Sequence, residues 1–124
     1  MSRTKYGFTS VYHANSVISK SKLGDTVDLE LNIFSIGNSL AFYSVPGELW
    51  SNAGLEVKGS SPFDITFTVG YSNGDWKYFV AGEAATEYEN YEYFYSRFVL
   101  PDTTKQMVAI WQKALENLYN NKSN

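Results

Sequence analysis

The stretch from Thr26 to Gly47 constrains this chain more than any other. Val27, Leu29, Leu31 and Ile33 alternate with Asp28, Glu30 and Asn32, the period-two pattern of a strand with one wet face. Gly37-Asn38 then supplies residues tolerant of positive φ, and Leu40-Ala41-Phe42-Tyr43 resumes an apolar run. Strand, tight turn, strand predicts an antiparallel hairpin. Val45-Pro46-Gly47 closes it, because proline cannot donate to a ladder and glycine relaxes the backbone.

From Glu48 to Val57 the spacing of Leu49, Ala53 and Val57 is helical, with Glu48 in the first turn, and Gly59-Ser60 ends the run. Phe63, Ile65, Phe67 and Val69 alternate with Asp64, Thr66 and Thr68, which predicts a third strand. Strand, helix, strand in this order implies a parallel pair joined by a crossover. Near the carboxy terminus, Thr103 with Gln106 reads as a capping box. Met107, Ile110, Trp111, Ala114, Leu115 and Leu118 form a stripe at helical spacing, the pattern of a helix packed on a core. The expected class is mixed α/β, a small mixed sheet with an antiparallel hairpin, one crossover helix and a carboxy-terminal amphipathic helix.

Two regions resist this reading. Residues 1–24 are polar and rich in Ser and Lys, and are expected to be a weakly structured lead-in, a strand followed by loop. Residues 70–100 carry most of the tyrosines, with Gly, Asn and Glu between them. An irregular segment that long inside a domain is usually functional or covered by a partner.

Composition narrows the function classes. The 124 residues suit one domain, and 44% hydrophobic against 19% charged residues suffices to fill a core. The net charge is −3 and the ten basic residues are scattered, whereas nucleic-acid binding calls for a basic patch; no nucleic-acid partner is expected. Without cysteine there is neither a disulfide framework nor a thiolate metal site. No signal-peptide-like apolar stretch opens the chain, and no transmembrane segment follows. The compartment stays open, an extracellular or periplasmic parent included.

Few residues carry chemistry. His13 is the single histidine, and one histidine makes no zinc signature. Glu48 directly follows a strand and opens a predicted helix, and the carboxyl ends of strands are where open α/β sheets bind ligands. By position it is a helix-start carboxylate before it is a metal ligand or general base. Gly70-Tyr71-Ser72-Asn73-Gly74 leaves a strand end and leads to Tyr78; spacing alone makes it a turn with aromatic packing.

Taken together, Ser44-Val45-Pro46-Gly47-Glu48, the helix after it, the strand leading to Gly70-Tyr71-Ser72-Asn73, and Tyr78 followed by Tyr91-Glu92 resemble the neutral/alkaline (non-lysosomal) ceramidases, a family of zinc amidohydrolases. The likeness runs from about Val27 to Leu118. It implies that Glu48 and Tyr78 are metal ligands to zinc and that Tyr91 faces the substrate amide as a catalytic contact. It further implies an N-acyl, lipid-like substrate. The family's zinc-binding histidines and catalytic serine belong to preceding sequence, so the chain is expected to be the carboxy-terminal part of such a domain, inactive alone. The chain departs from the family pattern at Phe79-Val80-Ala81-Gly82 and at Tyr93, changes that bear on substrate identity. Homo-oligomerisation, or pairing with an amino-terminal segment, is the expected fate of its aromatic surface. The alternatives are an aromatic-rich module that grips a glycan or lipid without chemistry, and an oligomerising structural domain.

Overall fold

The hairpin predicted around Gly37 organises the main sheet in the computed structural model, which describes residues 10–22, 24–81, 91–92, 99–100 and 102–122. Strands β1 (Ile33–Ile36) and β2 (Leu40–Ser44) pair antiparallel, with Ile36 opposite Leu40 and Ile33 opposite Tyr43. Gly37, in the turn, adopts a φ of +58°, a conformation in which a side chain is strained. The ladder begins later than the alternation suggested. Residues 27–32 keep half-buried odd and exposed even positions, but they join the sheet only at Asn32. There the Asn32 N–H donates to Ser44 Oγ at 2.6 Å, and the Asn32 carbonyl accepts the Ser44 N–H at 2.8 Å.

The mixed α/β class is borne out. After β2 come a two-residue strand β3 (Glu48–Leu49), helix α2 (Ser51–Ser60) and strand β4 (Ile65–Val69), which lies parallel to β2 with Phe42 opposite Phe67. Strand β5 (Tyr78–Phe79) pairs parallel with β3 to make a second, two-stranded sheet. Helix α2 therefore starts after Glu48 rather than at it, a correction with a clear cause. The Glu48 N–H donates to the Lys77 carbonyl at 2.7 Å and the Trp50 N–H to the Phe79 carbonyl at 3.0 Å. Those groups are held by a neighbouring strand and are not free to open a helix. The predicted end at Ser60 holds.

Among the described residues, helices pack on one face of the three-stranded sheet. Ala41 and Tyr43 of β2 point into a core with Ala53 and Val57 of α2 and with Trp111 and Leu115 of α3 (Thr103–Lys122). Trp111 is fully enclosed, its ring 5.0 Å from that of Tyr43; its indole N–H meets no acceptor among the described residues. On β4 it is the threonines that face inward. Thr66 donates to Ser61 Oγ at 2.6 Å, and Thr68 donates to the Tyr43 hydroxyl at 2.6 Å. Buried hydroxyls are tolerated when bonded in this way. Burial pushes the Tyr43 phenol above its ordinary pKa, and the bond from Thr68 offsets part of that rise.

Two further boundaries differ from expectation. The cap of α3 is Asp102, one residue before Thr103. The Asp102 carbonyl accepts the Gln106 N–H at 3.1 Å, and Gln106 Nε2 donates to the Asp102 carboxylate at 3.3 Å. Met107, Trp111 and Leu115 point inward as predicted, whereas Ile110 is 53% exposed. The lead-in is corrected over α1 (Val11–Lys20), a helix where a strand and loop were expected. The Ser- and Lys-rich composition hid it, although Val11, Ala14 and Ile18 fall at helical spacing. No helix among the described residues is long and apolar enough to cross a membrane.

Candidate functional site

Past the carboxyl end of β2, residues Val45 to Trp50 are clamped against Val69 to Phe79 by main-chain hydrogen bonds. The Val45 N–H donates to Val69 O, Ser72 to Val45 O, Tyr71 to Gly47 O and Trp76 to Pro46 O, each at 2.9 Å. The bonds from Glu48 and Trp50 to Lys77 and Phe79 continue the series. Gly47 is required by this approach, because a Cβ there would sit 2.5 Å from the Lys77 carbonyl oxygen. The facing segment bends sharply. Tyr71, Asn73 and Lys77 have φ of 51°, 62° and 62°, values uncommon for residues with side chains and concentrated at functional sites. A salt bridge of 2.6 Å from Lys77 to Asp75 accompanies this bend.

The clamp brings the residues singled out by sequence into one cluster. Glu48 and Tyr78 are in-register partners across β3 and β5, so their side chains emerge on the same face of that pair. Both line a shallow cleft of about 230 Å³ together with Leu49, Trp50 and Ser51. The Tyr91 ring meets the Tyr78 ring edge-on, centroids 5.9 Å apart. Tyr91 itself is 60% exposed. Sequence reasoning missed Tyr71, whose hydroxyl makes a long, 3.4 Å hydrogen bond to the Glu48 carboxylate. The available signal was its place just past a strand end, in the Gly70-Tyr71-Ser72-Asn73 turn.

Lost hydration, then the negative charge of Glu48, hold the Tyr78 phenol above the ordinary tyrosine pKa; Tyr71 is raised by the same two causes in the same order. A carboxylate flanked by two neutral phenols is an anionic oxygen site with hydrogen-bond donors beside it. It can hold a cation, or it can orient a polar ligand.

Zinc is the cofactor the resemblance implied. The two ligands it named, Glu48 and Tyr78, contribute one carboxylate and one phenol, where zinc takes three or four ligands. Among the described residues no group of three or more His, Cys, Asp or Glu comes together to hold a metal. His13 falls on α1, and its side chain lies outside the described residues. Of the aromatic stretch, residues 82–90 and 93–98, Tyr93 included, also lie outside them. A larger cleft of about 740 Å³ between α1, residues 24–31 and the start of α3 shares no residue with the Glu48 cluster. Comparison with family models, curated proteins and solved structures finds no match to this chain.

Proposed function

We propose that the Glu48–Tyr78–Tyr91 cluster is the carboxy-terminal contribution to a ceramidase-like, zinc-dependent site that hydrolyses N-acyl amide bonds. On this reading the chain is the carboxy-terminal part of such a domain and is inactive alone. The observation that carries the reading is the in-register pairing of Glu48 with Tyr78 across β3 and β5. Two residues that the motif resemblance named as co-ligands, far apart in sequence, are neighbours in space. Bound zinc would supply a Lewis acid and an activated oxygen nucleophile. The residues of this chain do the positioning. Glu48 offers a carboxylate held at a fixed strand position, Tyr78 a phenol beside it, and Tyr91 an exposed phenol whose hydroxyl would donate to developing negative charge on the amide. The substrate class is a lipid-like N-acyl amide.

Zinc titration followed by the near-ultraviolet difference spectrum of tyrosine tests this directly. With two donors only weak zinc uptake is expected, its phenolate signal abolished by Tyr78→Phe and strongly reduced by Glu48→Gln. Zinc that binds but ignores both substitutions refutes the assignment, whereas no uptake marks two oxygen donors as too few without the family's histidines.

A second reading, a glycan- or lipid-binding module, is favoured by exposed Tyr91 stacked edge-on against half-buried Tyr78. It predicts ligand binding that survives Glu48→Ala and is lost with Trp76→Ala, a pairing of outcomes the zinc reading does not produce.

A further inference from the structure

The sheet face turned away from the helices has no cover among the described residues, and every one of its rows is apolar until the last. Read across the strands from β1 through β2 to β4, the ladder registers put Ile36, Leu40 and Ile65 in one row and Phe34, Phe42 and Phe67 in the next. The three phenylalanine rings stack, with centroids 4.6 Å apart from Phe34 to Phe42 and 5.1 Å from Phe42 to Phe67. Phe34 is 56%, Ile36 61%, Ile65 51% and Phe67 44% exposed. Neither row contains a charged side chain. Antiparallel sheets that face water alternate apolar and polar residues, and strands apolar on both faces belong to sheets covered on both.

We infer that this face is the interface of a two-fold symmetric dimer, occupied by the same face of a second copy. The two rows carry the argument. Each reads nearly the same from either edge, Ile–Leu–Ile and Phe–Phe–Phe, with β2 as the midline. A two-fold axis lying between two such sheets and parallel to β2 exchanges left and right while keeping each row in place. Phe42 then meets its own copy, Phe34 meets Phe67 of the second copy, and Ile36 meets Ile65. An isologous interface requires this self-match, and most surfaces do not have it. The arrangement is an aligned sandwich of two sheets with helices outside, a standard way to cover sheet faces.

The area is sufficient. With about 150–250 Å² per large side chain, the exposed share of the patch is on the order of 500 Å² per copy. Two copies would bury roughly 1,000 Å², the level at which specific interfaces begin. A patch without charge also gives an oppositely charged partner nothing to recognise. The inference does not rest on the zinc reading, since Glu48, Tyr78 and Tyr91 belong to neither row.

Sedimentation velocity of the whole purified chain over a range of concentrations tests it. A reversible monomer–dimer equilibrium is expected. Phe34→Glu and Phe67→Lys should each weaken dimerisation by about a thousandfold, because each buries an unpaired charge. Circular dichroism should show both folded, since neither residue lies in the core. The double variant Phe34→Glu/Phe67→Lys places opposite charges across the two-fold axis and should recover at least a tenfold part of the loss. A monomer at all concentrations, an open-ended series of larger species, or a dimer indifferent to both single substitutions overturns the proposal. So does a double variant no better than the singles.

Discussion

The two faces of the β1–β2–β4 sheet are built from the same strands and have opposite fates. One face presents Ala41, Tyr43, Thr66 and Thr68 to α2 and α3, and the other presents two apolar rows to the outside. On β4 the contrast runs against simple hydropathy, for the threonines are inside and Ile65, Phe67 and Val69 are exposed. The covered face can afford hydroxyls because each finds a partner, Thr66 in Ser61 and Thr68 in Tyr43. The comparison teaches that burial here is decided by what packs on a face, and that a period-two pattern is silent on the direction of that packing.

Substitutions on the two faces should differ in both size and concentration dependence. Trp111→Ala, which empties the space against Tyr43, is expected to cost about 3–5 kcal/mol in denaturant unfolding. If it costs no more than a substitution on the bare face, the covered face is not the core. Phe67→Ala removes one stacking partner and should cost about 1 kcal/mol in dilute solution. Its cost should grow with protein concentration, because a bound second copy adds to stability by mass action; a constant cost would mean that the bare face stays bare. Thr68→Val takes the donor from the Tyr43 hydroxyl and should cost about 1 kcal/mol, the net worth of one such bond.

The smallest effect is one of pH. Because burial raises the Tyr43 pKa in the folded chain, the unfolded chain loses this proton first as pH rises. Below the ordinary value of 10.0 both states are protonated and the contribution is fully present. It is lost as pH rises from there through the folded value. Tyr43→Phe should therefore lessen the alkaline fall in unfolding free energy, measured by denaturant titration on both sides of that value. An unchanged slope would show that the alkaline fall has other sources.

Much of the architecture was legible because its signals are local. The Gly37-Asn38 turn, the Pro46-Gly47 stop and the Gly59-Ser60 helix end all fell where the residues put them. Helix α1 went unread because the segment was judged by its Ser and Lys content, although Val11, Ala14 and Ile18 keep the helical period. Glu48 was misplaced by a turn because its backbone partner, Lys77, is remote in sequence and invisible to any window. The same remoteness hid the pairing of Glu48 with Tyr78 from spacing arguments. Only the motif resemblance suggested that they act together, and it offered no reason to include Tyr71.

The clamp around Gly47 has a consequence for how such a chain can diverge over generations. Its bonds between Val45–Trp50 and Val69–Phe79 run from main chain to main chain, so no side chain takes part in them, though three bend positions need residues that tolerate positive φ. Exchange of exposed Asp75, or of Tyr78, would leave those main-chain bonds in place. Gly47 alone has no substitute there, because any Cβ strikes the Lys77 carbonyl. One sterically required glycine and a set of anonymous peptide groups would thus let new chemistries be tried at the neighbouring positions without the fold being reinvented each time.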